Sequence, residues 1–346
     1  MLELRRRDAR FGDLALSSSL SPRIALLLLV PPLMWAGNAL VGRLFADSVP
    51  PLLLNALRWS TALLVPLPLG WRALATPACR AALRRRWRPL ALLGLLGIGA
   101  YNALLYLSLQ TSTPINVTLI ASSAPVWMLL LGALFYGERP RGAQWAGAAL
   151  SLAGVLVVLS GGEWNRLALI RPVPGDLWML LAALSWAAYS WQLARPPPSL
   201  AGDARPRWDW AEFLLVQAIF GLVWASAAAG VESAITPPRI VWSPGLLAAL
   251  VFIGIGPSLL AYRCWALGVA AVGPALAGFF ANLTPLFAAL LSALLLGQPP
   301  RGFHAAAFGL IVAGIVVSSR RPRAPDAARS ATDTGSGPDV GRPGKT

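Results

Sequence analysis

Arg58 is the residue of this chain best placed to do chemistry, because its charge falls inside a long apolar stretch. It lies about 10–12 Å from the start of that stretch if the stretch is an α-helix rising 1.5 Å per residue. A charge at that depth in a bilayer is costly and must face protein or a water-filled cavity. Two interpretations stay open. Arg58 either binds a carboxylate or gates a cavity, or it snorkels outward or bonds free backbone carbonyls as a structural pin.

Aromatic and amide side chains recur in other apolar stretches at spacings that place them on common helix faces. Trp35 and Asn38 are three residues apart, as are Trp186 and Tyr189, so each pair shares one face. We expect such groups to point inward, where they line a solute cavity near the midplane or bond between helices. The candidate binding residues are Trp35, Asn38, Arg58, Tyr101, Asn102, Tyr106, Trp186, Tyr189, Tyr262 and Asn282.

The residue sets that catalysis needs are missing from these stretches. No Asp or Glu falls deep within an apolar run, so a carboxylate-based proton relay lacks its residue. Cys79 and Cys264 are far apart and His304 is the single histidine, which predicts no metal site. Neither paired acids nor a nucleophile with its base are visible. We therefore predict no enzyme, no metal and no cofactor.

The composition is that of a helical membrane protein. Of 346 residues, 56% are hydrophobic and 12% charged, about half the charged fraction of a soluble domain. Apolar runs of roughly 20 residues recur, and they are continuous rather than alternating, which favours spanning helices over a barrel. The net charge of +15 comes from arginines in short loops and tails, as an orientation signal would, so no nucleic acid partner is expected.

Ten helices are predicted, five in each half of the chain. They cover residues 24–45, 51–70, 89–109, 114–136, 144–160, 177–193, 211–230, 245–267, 272–296 and 303–319. A cytoplasmic tail of residues 1–23 and a disordered cytoplasmic tail of residues 320–346 flank them. With the N-terminus inside, 22 of the 29 Lys and Arg residues fall on the cytoplasmic side and five outside, which predicts that both termini are cytoplasmic.

The two halves repeat each other. Residues 114–160 align with residues 274–320 at a constant offset of 160, so that Pro125 falls on Pro285. An odd number of helices per unit reverses its direction, which predicts inverted repeats over 24–160 and 175–319 with a site between them. Gly97-Ile98-Gly99 also recurs as Gly254-Ile255-Gly256, where either close packing or a hinge is expected.

Several motifs resemble the ten-helix EamA-type members of the drug/metabolite transporter superfamily. Trp35-Ala36-Gly37-Asn38 is similar to the family's Trp-Gly-x-Asn signature, Phe135-Tyr136-Gly137-Glu138 to its Phe-x-Gly-Glu ending, and Tyr262-Arg263-Cys264-Trp265 to its Tyr-x-x-Trp run. Two positions depart from the pattern: Gln298 replaces an acid, and Arg263 stands where members usually have an apolar residue. The departure at Arg263 reflects either a special substrate or nothing, and we expect this residue, about one turn from its helix end, to snorkel. Glu138 either couples protons or forms a local ion pair.

The resemblance implies a secondary transporter in the bacterial inner membrane. Such a protein moves a small metabolite, an amino acid or related compound, across the lipid bilayer by alternating access. Multidrug or other xenobiotic efflux on the same fold is the alternative. A membrane sensor or assembly protein that transports nothing is the alternative of a different class. The solute, the direction of flux, the coupling ion and the oligomeric state stay open.

Overall fold

The computed structural model describes residues 20–45, 47–237, 239–296 and 301–320, and these contain helices and turns but no strand. Gln298 and most of both predicted tails lie outside the described residues. We label the helices α1 (Pro22–Leu44), α2 (Pro51–Leu63 and Pro66–Gly70), α3 (Pro77–Gly94, Leu95–Ala100 and Tyr101–Thr111), α4 (Pro114–Ala121 and Ala124–Phe135), α5 (Gly142–Ser160), α6 (Pro174–Ala194), α7 (Trp210–Ile235), α8 (Pro244–Ile253, Gly254–Leu260 and Ala261–Val272), α9 (Pro274–Ala281 and Thr284–Leu296) and α10 (Gly302–Ser319).

Eight helices of the described part are long and apolar enough to cross a bilayer: α1, α3, α4, α5, α7, α8, α9 and α10. The other two differ for separate reasons. The main segment of α2 ends at Leu63, just before Pro66. The 21 residues of α6 include three Trp, two Ser, a Tyr and a Gln, which lower its mean hydropathy.

Three helix boundaries differ from the sequence-based prediction by five residues or more, and one of them is the end of α7, at Ile235 rather than at residue 230. α3 begins at Pro77 rather than at residue 89, because the Thr76 side chain accepts a hydrogen bond from the Cys79 N–H and Pro77 occupies the first turn. α8 continues to Val272 rather than ending at residue 267, and Gly273 then terminates it with a φ of +82°. The additional turn of α8 places Arg263 deeper in its helix than predicted.

Local interruptions mark the middle of four helices. Each Gly-Ile-Gly motif lies in a π-helical segment, Leu95–Ala100 in α3 and Gly254–Leu260 in α8. π-Helical turns widen the backbone and occur often at functional sites. α4 and α9 are each broken shortly before Pro125 and Pro285, which therefore lie in the first turn of a new segment, where a missing N–H costs little.

Helices of one half of the chain pack against helices of the other. The backbones of α5 and α10 approach closely: a Cβ on Gly147 would lie 2.6 Å from the Gly314 carbonyl oxygen, and one on Gly314 would lie 2.7 Å from that of Gly147. α3 and α4 pack on α6, and correspondingly α8 and α9 pack on α1. The largest buried core includes Trp59, Trp186 and Trp265, so the bulky aromatic side chains gather between the halves.

Candidate functional site

An aromatic layer lies at the centre of the bundle. Trp186 of α6 is its middle, and rings from three other helices, α1, α3 and α8, lie within contact distance of it. These distances are 5.2 Å to Trp35, 5.2 Å to Tyr101, 5.1 Å to Tyr189, 5.6 Å to Tyr262 and 5.3 Å to Trp265. Edge-on and tilted pairs of this kind add about 0.5–1.5 kcal/mol each beyond their buried area. The layer, made of these six residues, joins α1, α3, α6 and α8.

Hydrogen bonds fix the polar tips of the layer. Gln217 of α7 donates from Nε2 to the Tyr189 hydroxyl at 2.7 Å, and the Trp265 indole N–H donates to Ser190 Oγ at 3.1 Å. The Tyr262 hydroxyl donates to the Gly97 carbonyl at 2.5 Å. Buried Tyr and Trp side chains need such partners. The layer is therefore held in one arrangement by polar contacts as well as by packing.

The π-helical segment of α3 supplies carbonyls to the site. Besides the Gly97 carbonyl, that of Leu96 accepts from Ser185 Oγ at 2.8 Å, and that of Ile98 accepts from Asn102 Nδ2 at 3.2 Å. In α8, the carbonyl of Ile253 accepts from Ser258 Oγ at 2.7 Å. In and beside both segments, backbone carbonyls thus accept hydrogen bonds from side chains of the site.

Arg58 is 2% exposed and bonds three groups on two neighbouring helices. Its Nε donates to Ser258 Oγ at 2.6 Å, its Nη1 to Asn102 Oδ1 at 3.4 Å and its Nη2 to the Pro257 carbonyl at 3.4 Å. The guanidinium also interacts electrostatically with Tyr106. Arg58 therefore ties α2 to the interrupted regions of α3 and α8, next to the aromatic layer.

A cavity opens on one side of the layer, at the end of the bundle where α6 ends and α7 begins. The space between its lining residues, including open solvent at the mouth, is about 1020 Å³. Tyr189 and Tyr262, both almost fully buried, form its closed end. Its polar lining consists of Gln192, Arg205, Trp208, Asp209, Trp210, Gln217 and Arg263. Arg58 does not line this cavity, so the tyrosines separate the cavity from the Arg58 contacts.

The structure brings most of the predicted candidate residues together. Trp35, Tyr101, Trp186, Tyr189 and Tyr262 are in the aromatic layer, and Asn102 and Tyr106 lie beside Arg58. Two candidates lie elsewhere. Asn38 is half-buried on α1, outside these ring contacts. Asn282 donates from Nδ2 to Ser151 Oγ at 2.8 Å, so it links the break in α9 to α5.

Sequence reasoning missed four residues of the site: Trp265, Gln217, Ser258 and Arg263. Trp265 belongs to the Tyr-x-x-Trp run, and Gln217 is an amide inside an apolar helix, so both carried a signal. Ser258 carried none, because its role depends on the π-helical backbone that brings its hydroxyl to Arg58.

Arg263 lies nine residues before the end of α8, which is about 13 Å along the helix axis. The prediction that it sits one turn from the helix end was therefore wrong. Its guanidinium lies over the Trp210 ring, 5.1 Å from the centroid, and lines the cavity. Trp208 and Trp210 also line the cavity.

Glu138 forms an ion pair at the end of α4. Its carboxylate accepts from the Arg195 guanidinium, which also donates to the Tyr136 carbonyl at 3.0 Å. Of the two interpretations, this geometry favours a local pair, although the partner is Arg195 rather than a neighbouring arginine. No group of three or more metal-ligating side chains occurs in the part of the chain that the structure describes.

Comparison with known proteins decides the family. The EamA-like transporter family matches residues 22–160 and 173–320, which is most of the chain. This chain belongs to the EamA-like transporter family. The aromatic amino acid exporter YddG of Ancylobacter novellus is 29% identical over 83% of this chain and 93% of its own. A probable terminal-alkyne amino-acid exporter of Streptantibioticus cattleyicolor is 28% identical over 67% of this chain and 73% of its own.

A solved crystal structure with 27% identity has the same fold, with a TM-score of 0.67 over 86% of this chain and 97% of the other. The family and these relatives are transporters rather than enzymes. The eight apolar spanning helices and the family together make this EamA-like protein a multi-pass membrane protein with the all-helical fold of a transporter.

Proposed function

We propose that this EamA-like protein is a secondary transporter that moves an amino acid or a related small metabolite across the bacterial inner membrane by alternating access. The observation that carries the proposal is the one-sided cavity. It ends at Tyr189 and Tyr262 of the aromatic layer, and the Arg58 contacts close the bundle beyond them. A central layer that is reached from one side and closed on the other has the geometry of one state of an alternating-access cycle.

An arrangement of inverted repeats, five helices each, is part of the same proposal. Each helix of the first half has a counterpart five helices later in the chain. The packing of α3 on α6 corresponds to that of α8 on α1, and the packing of α4 on α6 corresponds to that of α9 on α1. Three other contacts each join a helix to its own counterpart: α2 with α7, α4 with α9 and α5 with α10. A pseudo-two-fold axis would pass between these pairs, through the aromatic layer. The family matches to residues 22–160 and 173–320 follow the same division.

The positive-inside rule orients the cavity. The helix ends around its mouth adjoin the basic connection after α6, with Arg195, Arg205 and Arg207, and the basic first turns of α3. Basic loops stay in the cytoplasm. In this orientation both termini are cytoplasmic and the structure is the inward-facing state.

The chemistry of the layer favours a solute with an apolar or aromatic side chain. Rings packed at 5–6 Å from one another offer faces and edges for a further ring. The relatives named as exporters of aromatic or alkyne-bearing amino acids support this class. A change of state would separate the rings by bending α3 and α8 at their interrupted centres. Carbonyls there already accept hydrogen bonds from side chains.

The test is counterflow in proteoliposomes. Purified full-length protein is reconstituted, loaded with unlabelled L-phenylalanine or L-leucine and mixed with the labelled compound outside, with protein-free liposomes as the control. We expect saturable accumulation of at least one of these amino acids. Accumulation of ethidium without either amino acid would favour xenobiotic efflux instead. If none of the compounds accumulates, with or without a pH gradient, the proposal fails.

A further inference from the structure

The cavity carries more positive than negative charge. Arg205 comes from the connection between α6 and α7, and Arg263 comes from α8. Asp209 is the one carboxylate among the described lining residues, and its Oδ1 accepts from the backbone N–H groups of Ala211 and Glu212 at 2.9 Å each. That carboxylate is engaged as the N-cap of α7. The two guanidinium groups therefore set the electrostatic character of the space.

Arg263 is held in an orientation suited to binding an anion. Its guanidinium lies over the Trp210 ring, 5.1 Å from the centroid, while the neighbouring Tyr262 and Ala266 of α8 line the same space. A guanidinium stacked on an aromatic face keeps its N–H donors in its own plane, and this fork matches a carboxylate in a bidentate way.

Arg205 lines the same cavity from the connection between α6 and α7. Burial lowers the pKa of Arg205 from its usual value, although an arginine stays protonated at neutral pH. A partly buried cation gains from an anion placed beside it, because the effective dielectric there is lower than in water. Both arginines thus favour a ligand with a negatively charged group.

Tyr262 and Arg263 are neighbours on α8 and line the same cavity, which limits how such a ligand would lie. Arg263 directly follows Tyr262, which with Tyr189 closes the inner end of the cavity. A small molecule whose carboxylate meets Arg263 therefore has its side chain within reach of the tyrosine faces. An α-amino acid has this arrangement of carboxylate and side chain on one carbon.

We propose that Arg263, assisted by Arg205, is the carboxylate-binding subsite of the cavity and the residue that determines specificity for carboxylate-bearing solutes. This inference rests on the proposed transport function and adds the group that selects the solute. Arg263 occupies a position where an apolar residue would be the ordinary choice in a spanning helix, because a charge there must be stabilised by its surroundings.

The experiment compares two probes that differ only at the carboxylate. L-Phenylalanine and L-phenylalaninamide are tested for binding to detergent-solubilised protein and as competitors of counterflow in phosphatidylcholine liposomes, which contain no anionic lipid. Wild-type protein should bind the amino acid about tenfold or more tightly than the amide, as a charge-assisted bidentate contact requires. Arg263→Gln should remove this preference, because it weakens the binding of the amino acid and leaves the binding of the amide unchanged. Arg263→Lys should keep part of the preference.

Arg207→Gln is the matched control, because Arg207 is exposed in the same connection and does not line the cavity. It should keep the wild-type preference. Equal binding of both probes by wild-type protein, or an unchanged preference in Arg263→Gln, would overturn the proposal while leaving transport intact. Absence of flux for every amino acid in wild-type liposomes would instead count against the proposed function. If Arg263→Gln does not fold, the proposal is tested by the ratio of amino acid to amide binding in the wild-type protein and in Arg263→Lys.

Discussion

Replacing Gly97 by alanine should disturb the centre of the site. A Cβ on this residue would lie 2.6 Å from Cε2 and 2.7 Å from Cδ2 of Tyr189, closer than carbon atoms approach without displacement. Tyr189 has little freedom to yield, because its hydroxyl is bonded to Gln217 and its ring packs against Trp186. The added methyl group must therefore displace the Tyr189 ring or the π-helical backbone of α3.

The expected size follows from two opposing terms. Overpacking a well-filled core costs about 1–3 kcal/mol. Glycine to alanine inside a helix gains up to about 1 kcal/mol in propensity, which offsets part of that cost. Gly309→Ala supplies the matched control, since Gly309 is exposed on α10 and a Cβ there meets nothing within 4 Å. The difference between the two variants removes the propensity term and leaves the steric cost of about 1–3 kcal/mol.

The assay is thermal or denaturant unfolding of the purified proteins in one detergent, followed by counterflow in liposomes. Gly309→Ala should unfold at or above the wild-type midpoint and transport normally. Gly97→Ala should unfold at a lower midpoint and transport more slowly, because the displaced Tyr189 forms the closed end of the cavity. Equal stability and equal transport in the two variants would refute the packing of Gly97 on Tyr189.

Three further substitutions test individual contacts. Arg58→Lys keeps the charge but places its three N–H donors on one atom, so it cannot reproduce the contacts that three separate nitrogen atoms of Arg58 make. We expect a loss of about 1–3 kcal/mol in unfolding free energy; an unchanged midpoint would remove the role of Arg58 as a tether between helices. Glu232→Ala removes the carboxylate that accepts the first backbone N–H groups of α2 at 3.2 and 2.9 Å, and should cost about 0.5–2 kcal/mol; Glu232→Gln should retain part of that stability. Asn282→Leu should cost about 1 kcal/mol, and combining it with Ser151→Ala should cost less than the sum of the two single changes; strict additivity would show that this hydrogen bond contributes nothing.

Much of the site could be predicted from residue type and position alone. Aromatic and amide groups in lipid-spanning helices need partners, and that requirement pointed Trp35, Trp186, Tyr189 and Tyr262 inward, where the structure places them. The recurrence of Gly-Ile-Gly marked the two places where the helices are π-helical. Sequence could not choose between packing and hinge there, because the widened backbone becomes visible only in three dimensions.

The predictions that differ from the structure concern where a helix ends and which partner a side chain contacts. The extension of α8 to Val272 depends on Gly273, which ends the helix by adopting a positive φ, and five further residues of helix moved Arg263 from the surface to the cavity wall. Asn282 looked like a cavity residue because it is an amide in an apolar run, yet its partner Ser151 is on a helix distant in sequence. Neither pairing nor depth follows from spacing within one helix.

Counterflow by Trp186→Ala tests most directly whether the solute passes through the aromatic layer between the two halves of the chain. Trp186 contacts all five other rings of the layer, whereas Trp164 is exposed in the connection between α5 and α6 and serves as the matched control. We predict that the folded Trp186→Ala protein transports at least about tenfold more slowly than wild type, as expected for the loss of about 1.4 kcal/mol or more of solute stabilisation. Trp164→Ala should transport at the wild-type rate. A folded Trp186→Ala protein that transports as fast as Trp164→Ala would contradict the account.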